Sequence, residues 1–133
     1  MKTALVVKTT GEMYEIDISK DSYKPLKEEV GGLLEAIVLQ AGPHFWDATM
    51  WVDEEGKLKS LRHNLFAQRV FDFSFGAWRD SVVGDVVFTG GADQHGNTKG
   101  LSKQSLEMLR QQIMLVHDFL EPIIQFREIE EVQ

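Results

Sequence analysis

The sequence predicts one domain of the α+β class: a mainly antiparallel sheet of about five strands, short helices, and one long C-terminal amphipathic helix packed on the sheet. Three observations predict this class. Short β-rich runs, one with a clear period of two, are separated by turn residues; capping residues precede the helical stretches; and residues 103–120 carry one apolar stripe at helical spacing. No repeat or long linker divides the 133 residues, so the domain is expected to span residues 1–133.

The strands are predicted from runs of β-branched and apolar residues bounded by turns. The first two form an antiparallel hairpin around Thr10-Gly11-Glu12, and the third is expected to be mostly buried. An interior glycine, Gly84, indicates a bulge or a close backbone approach in the last strand. The predicted strands are Thr3–Thr9, Met13–Ile18, Leu33–Gln40, Ala48–Val52 and Ser81–Thr89, and Lys57–Leu61 returns after the turn at 53–56.

The helices are predicted from their capping residues and apolar spacing. Ser22 caps a short helix that ends at Val30-Gly31-Gly32, and Asn64 caps Leu65–Phe71. Ser102 caps the longest helix, which runs from Lys103 to about Leu120. Pro122 is expected to end or kink it, and residues 123–132 fit an edge strand, a further helical turn or a frayed tail. The buried positions are expected to be Leu65, Val70 and Phe71 in the middle helix, and Leu106, Leu109, Ile113, Val116 and Leu120 in the last.

Composition excludes several kinds of protein. The chain has no cysteine, which removes disulfides, thiolate zinc sites and cysteine nucleophiles. The apolar run at its start is too short for a signal peptide, and no run is long enough to span a bilayer, so we expect a cytoplasmic protein without a membrane partner. A net charge of −7 argues against general nucleic-acid binding, because that binding depends on Lys and Arg neutralising phosphates.

The motifs of enzymes and metal sites are incomplete. Gly91 and Gly96 have the glycine spacing of a phosphate-binding loop, but Asn97-Thr98 follows where Lys and Ser or Thr are required. Lys99 is out of register, which leaves at most a weaker anion-binding role for this loop. The four histidines, His44, His63, His95 and His117, lack the spacing of metal ligands. The sequence therefore predicts no metal, no cofactor and no catalytic residue.

The best candidate for a binding site is a basic quartet, Lys57, Lys59, Arg62 and Arg69. Arg binds planar anions through two hydrogen bonds, and Trp stacks on rings, so the group suits a nucleotide-like anion. The alternative is that these charges balance neighbouring acids, that Asn64 only caps a helix, and that Trp46, Trp51 and Trp78 belong to the core or an interface. The candidate ligand-binding residues are Trp51, Lys57, Lys59, Arg62, His63, Asn64, Arg69 and Lys99.

Three stretches carry a resemblance to a known family. VGGLLEAIVL (residues 30–39), MWVDEEGKLKSLRHNLFAQRV (50–70) and VVGDVVFTGG (82–91) have the order and spacing found in the small proteins called domain of unknown function 3846. The resemblance covers roughly residues 1–102, and the helix and tail at 103–133 lie outside that core. Arg62-His63 stands where the family often has proline, so the local turn is expected to differ. The resemblance implies a phage or mobile-element origin and supplies no catalytic residue.

Three kinds of function follow as expectations. The first is a non-enzymatic phage-type protein that sequesters a small anionic, nucleotide-like ligand and so counters host defence. The alternative is an acidic inhibitor or adaptor that binds a host protein, and a weaker alternative is a nucleotide-processing enzyme that uses Asp85 or the carboxylates of Asp53–Glu55. The apolar stripe of the last helix leaves two alternatives open for oligomerisation: exposed to solvent it would favour a homo-oligomer, and packed on the sheet it would not.

Overall fold

A five-stranded antiparallel sheet with the strand order β2-β1-β5-β4-β3 forms the centre of the molecule. The computed structural model describes residues 1–39, 47–77 and 79–132, with side chains as far as residue 123. The predicted α+β class is confirmed, including the antiparallel sheet and the long last helix. The strands are β1 Thr3–Val7, β2 Met13–Asp17, β3 Leu34–Val38, β4 Thr49–Asp53 and β5 Val86–Thr89; the helices are α1 Tyr23–Val30, α2 Leu65–Phe75 and α3 Lys103–Val132.

The sheet separates two hydrophobic cores, and β1 contributes to both because its side chains alternate between the faces. Leu5 and Val7 enter the larger core with α2 and α3, whereas Ala4 and Val6 enter a smaller core with α1. The predicted hairpin is confirmed, with Val7 opposite Met13 in the register of β1 and β2. The molecule therefore has three layers, with the sheet in the middle.

The third strand was predicted to be mostly buried, and this prediction is wrong. β3 is an edge strand, and most of its residues are exposed or half-exposed; Val38 keeps 69% of its surface. The apolar run LLEAIVLQ does not reveal this, because strand order decides burial and depends on residues far away in sequence. Four positions that figured in the predictions, Gln40, His44, Trp46 and Trp78, lie outside the described residues.

Two further strand predictions need correction. Lys57–Leu61 forms turns rather than a strand, and Leu58 is 86% exposed instead of making an apolar contact. In the segment Ser81–Thr89 only β5 is a continuous strand. Gly84 precedes it with φ of +80° and donates its N–H to the Arg62 carbonyl at 2.8 Å, and an isolated bridge joins His63 to Val83. The predicted glycine thus lies where two backbone segments come close, just before β5.

Helix α1 is capped at its start by Asp21 and not by the predicted Ser22. Ser22 makes no side-chain cap bond, and the Asp21 carboxylate accepts the backbone N–H groups of Tyr23 and Lys24 instead. The glycine stop of α1 is confirmed, since Gly31 adopts φ of +85° and donates its N–H to the Lys27 carbonyl. Both ends of α1 are thus satisfied by residues next to the helix.

Helix α2 begins at its predicted cap and runs past its predicted end. The Asn64 side chain accepts the Ala67 N–H at 3.0 Å, and Gly76 rather than Phe71 marks the end. Phe71 and Phe75 lie one helical turn apart with ring centroids 4.7 Å from each other, so the aromatic residues after the predicted end still belong to the helix. Leu65 is 47% exposed, which corrects its predicted place in the core.

Helix α3 begins after Ser102, whose hydroxyl accepts the Ser105 N–H as predicted. Pro122 lies inside the helix and does not end it, so the helical alternative holds for residues 123–132. Leu109 and Ile113 are fully buried in the core shared with α2 and the sheet. The His117 Nε2 of this helix donates to the Gly11 carbonyl at 2.9 Å.

Candidate functional site

A cleft of about 250 Å³ opens between the β3–β4 edge of the sheet, the end of α2, and the segment that leads to β5. Its apolar surface comes from both sheet and helix, and its polar residues come mostly from the turns on either side. The apolar residues are Ile37, Val52, Phe71, Val82 and Val83; the polar ones are Glu35, Asp53, Glu54, Lys57, Asp80 and Ser81.

A second cavity of about 450 Å³ adjoins this acidic cleft and shares Asp80 and Ser81 with it. Among the residues that the structure describes, His63, Gln68, Asp72 and Ala77 also line it. The Asp80-Ser81 segment is therefore the wall between two concave surfaces on the α2 side of the sheet.

Gln68 holds that wall in place. Its amide nitrogen donates to the Asp72 carboxylate at 2.8 Å and to the Asp80 carbonyl at 2.9 Å. Its amide oxygen accepts the Val82 N–H at 2.7 Å and faces the His63 Nε2 at 2.8 Å, which places the imidazole proton on Nε2. With four partners satisfied, Gln68 fixes the segment from residue 80 to residue 82 against α2.

The cleft is acidic. Four of its polar residues are carboxylates, and Lys57 is its one cation among the described residues. The Lys57 amine hydrogen-bonds the Asp80 carboxylate, and this bond, together with the Ser81 N–H, holds the Asp80 pKa below its ordinary value. Both side chains are more than half exposed, so this ion pair contributes little to stability. The pair also shows that the rim of the cleft can hold an ammonium group against a carboxylate.

Asp53 is a carboxylate of the scaffold. Its side chain is 3% exposed. The carboxylate forms an ion pair with the Lys59 amine at 2.8 Å and accepts a hydrogen bond from the Glu55 N–H at 2.9 Å. The lysine and the backbone hydrogen bond together hold the Asp53 pKa below its ordinary value, although burial opposes them. Gly32 lies against it, and a Cβ there would come within 2.3 Å of its carboxylate oxygen.

The eight predicted ligand-binding residues do not converge on one place. Lys57 lines the acidic cleft and His63 the second cavity, whereas Trp51 packs in the core on the opposite face of the sheet and donates to Thr89 at 2.8 Å. Lys59 is paired with Asp53, as described above. Arg62 is exposed and has no ion pair within residues 1–39, 47–77 and 79–132.

The remaining three predicted residues are engaged elsewhere. Arg69 lies on the other flank of α2 and donates to Gln112 of α3 at 2.9 Å. Lys99 is paired with Asp47 at 2.8 Å. Asn64 is fully buried, and its amide donates to the carbonyls of Val7 and Gly84, so every polar atom of its side chain is already bonded within the fold.

The glycine-rich loop binds its own carboxylate. Asp93 accepts the backbone N–H groups of His95 and Asn97, at 2.8 Å and 2.9 Å, and these bonds lower the Asp93 pKa. Amide groups that a phosphate loop would present to its ligand therefore face Asp93 instead. Asp85 likewise has structural contacts, since it accepts the Thr9 N–H at 2.9 Å and lies 3.5 Å from the Lys8 amine.

Sequence reasoning missed Gln68, Asp80 and Glu35 as residues of the clefts. Gln68 and Asp72 are four residues apart on α2, which is a recognisable local pair. Asp80 and Glu35 carry no comparable signal, because their proximity depends on how the segment after α2 meets the sheet edge.

The comparisons with known proteins give one finding. A family model, domain of unknown function 3846, matches residues 1–114. The chain belongs to this family. The match continues past residue 102 into the first part of α3. No curated protein and no solved structure matches the chain.

The residues that carried the family resemblance are part of the scaffold. Gly32 packs on Asp53, Asn64 bonds the backbone at Gly84, and Asp85 holds the turn at Thr9. Among the described residues no group of three or more His, Asp or Glu side chains is placed to hold a metal ion. In the same part of the chain, no helix is both long and apolar enough to cross a membrane.

Proposed function

We propose that this family member is a non-enzymatic binding protein that engages a basic side chain of a protein partner in the acidic cleft. The observation that supports the proposal most is the combination of an apolar floor with a carboxylate rim. Lys and Arg bury their aliphatic stems on apolar surface while their charged heads stay near polar groups, so this combination matches their shape and chemistry.

The charge of the whole molecule supports the same partner. A chain with net charge −7 attracts basic surfaces, and complementary charge raises association rates and selects partners. Glu35 and Glu54 are exposed at the rim and have no ion pair among the described residues, so both are available to an incoming cation. We also propose a phage or mobile-element origin and, with it, a host protein as the partner, bound in the host cytoplasm as an inhibitor or adaptor would bind it.

The test is a nuclear magnetic resonance titration with short peptides that differ only in one central Lys, Arg, Gln or Glu. The Lys or Arg peptide is expected to shift the amide resonances of Val52 and Val82, and added salt should weaken the effect. A double substitution, Glu35→Gln with Glu54→Gln, should abolish it, whereas Glu12→Gln, an exposed change outside the cleft, should not. Equal shifts with the Gln peptide, or none with any peptide, would refute the proposal.

A groove on α1 favours a second candidate function, the capture of a small anionic ligand. This groove of about 440 Å³ is lined by Tyr23, Lys24, Lys27, Glu28 and Gly31. The tyrosine is 59% exposed, and neither lysine has an ion pair among the described residues. An exposed ring beside two cations suits a nucleotide-like anion better than the neutralised lysines of the predicted quartet.

Calorimetry with cyclic nucleotides and ADP-ribose tests this second candidate. Binding that is lost in Lys24→Gln with Lys27→Gln, and retained in Lys57→Gln with Lys59→Gln, would place the ligand on α1. A separate sample of the protein should first be denatured and its supernatant examined for an ultraviolet-absorbing molecule. This check shows whether a co-purified ligand would mask binding in the calorimeter. No heat from any anion in ligand-free protein would exclude this candidate.

A further inference from the structure

Helix α3 presents a second apolar surface that does not face the core. Its 30 residues make a rod of about 45 Å at 1.5 Å per residue. Among the side chains that the structure describes, Leu120 is the last one that packs against the larger core. The exposed apolar residues are Leu115 at 50%, Phe119 at 73% and Ile123 at 50%, and Met114 is 44% exposed on another side.

Leu115, Phe119 and Ile123 form one line along the helix, because residues four apart lie on the same face. This exposed stripe runs beside a shallow groove lined by Arg69, Leu115, Val116 and Phe119. Scattered exposed apolar residues are ordinary, but an aligned set on a long helix is the pattern through which helices associate.

The spacing of the stripe is symmetric about Phe119. A twofold axis through this residue places Leu115 of one copy opposite Ile123 of a second copy, and the two Phe119 rings opposite each other. Such an arrangement is self-complementary, as the interface of a twofold dimer must be. An unrelated partner would need an apolar stripe of its own with the same spacing, whereas a second copy supplies it automatically.

Charge selects the antiparallel orientation. Within α3, residues 103–118 hold two basic and two acidic residues, whereas residues 120–132 hold one basic and four acidic residues. Parallel helices would place the two acidic segments side by side. Antiparallel helices place each acidic segment beside the neutral segment of the other copy, where Arg69 also lies on the groove.

We infer that the chain forms a twofold symmetric dimer through the exposed stripe of α3, with the two helices antiparallel and Phe119 on the axis. The dimer places two acidic clefts on one assembly, and this surface is separate from both proposed binding sites.

Light scattering of the full-length chain during size-exclusion chromatography tests the dimer. The expected mass is twice the 15.1 kDa of one chain. Phe119→Glu should halve it and leave the circular dichroism spectrum unchanged, because the ring is mostly exposed. Met114→Glu is the matched control: it removes another exposed apolar residue of α3, about 140° around the helix from Phe119 at 3.6 residues per turn, and should leave the dimer intact. A monomer at 100 µM wild-type protein, or a Phe119→Glu dimer, overturns the inference.

The orientation is tested by crosslinking, which is simple because the chain has no cysteine. A short bismaleimide should join two copies of Phe119→Cys. It should not join two copies of Leu115→Cys, because antiparallel pairing separates these positions by about 12 Å along the helix axis. A mixture of Leu115→Cys and Ile123→Cys should crosslink again. Efficient crosslinking of Leu115→Cys with itself would contradict the antiparallel arrangement.

Discussion

Replacing Asn64 is expected to show that this residue holds three parts of the fold together. Its side chain accepts the N–H of Ala67 at the start of α2 and donates to the carbonyls of Val7 in β1 and Gly84 before β5. All three bonds lie out of contact with water, since Asn64 is 0% exposed.

The magnitude follows from these bonds. Asn64→Ala loses a helix cap, which costs about 1 kcal/mol. It also leaves two carbonyls without their donor in the interior, at about 1 to 2 kcal/mol each. The sum is about 3 to 5 kcal/mol, a large share of the roughly 5–15 kcal/mol by which domains are stable. Urea unfolding followed by tryptophan fluorescence measures the loss.

The variant Asn64→Asp tests the helix cap separately from the two hydrogen bonds that the Asn64 amide donates. The carboxylate keeps the acceptor for Ala67 but directs an oxygen at two carbonyl oxygens, so this variant should be less stable than Asn64→Ala at neutral pH. Burial raises the pKa of the new carboxyl in the folded state above its unfolded value, so the penalty should shrink as pH falls. Leu65→Ala, at a largely exposed neighbouring position, is the control and should cost much less. An aspartate variant as stable as the wild type would refute the reasoning.

Three further outcomes are expected, each measured by equilibrium unfolding. The Asp53 pKa is lowered in the folded state, so the stabilisation from this carboxylate is present at neutral pH and is lost as pH falls through that depressed pKa. Asp53→Asn should therefore flatten the acid side of the stability profile, and an unchanged profile would contradict the role of the Asp53–Lys59 ion pair. Gly11→Ala should destabilise the fold far more than Gly96→Ala. Both glycines have positive φ, but only a Cβ at Gly11 would meet a neighbour, at 2.6 Å from Phe66. Equal losses of unfolding free energy would show that backbone strain alone matters. Gln68→Ala should cost about 2 to 4 kcal/mol of unfolding free energy, and it should also broaden the nuclear magnetic resonance signals of residues 80–82. A loss below about 1 kcal/mol would mean that the Asp80-Ser81 wall does not depend on Gln68.

The parts of the fold that depend on local chemistry were predictable from sequence. The Asn64 cap and the glycine stop at Gly31 act over three or four residues, and both are confirmed. The exposure of β3 was not predictable, because it follows from the strand order and not from the strand itself. Local patterns also placed the end of α2 too early, at Phe71 instead of Phe75, because aromatic residues at alternate positions do not show that the helix continues.

The candidate site was less accessible to sequence reasoning than the fold. The basic residues seen in the sequence do not show that Lys57 meets Asp80 or that Lys59 meets Asp53, and these two ion pairs neutralise two of the four positive charges of the quartet. The acidic cleft combines the sheet edge, a turn and the segment after α2, so its character depends on long-range packing. An excess of carboxylates over the whole chain was the only advance signal for it.

The position of β5 has a consequence for synthesis on the ribosome. β5 is the last strand in sequence, yet it lies between the β1–β2 hairpin and the β3–β4 pair and bonds to both. Until residue 89 has left the exit tunnel, the two pairs have no strand to join them, and each exposes an edge that other chains can bind. The sheet therefore closes only after β5 has been made, through contacts between β1 and β5 that join residues more than 75 positions apart. We expect folding to be slow, and prone to aggregation in chains that stop before β5.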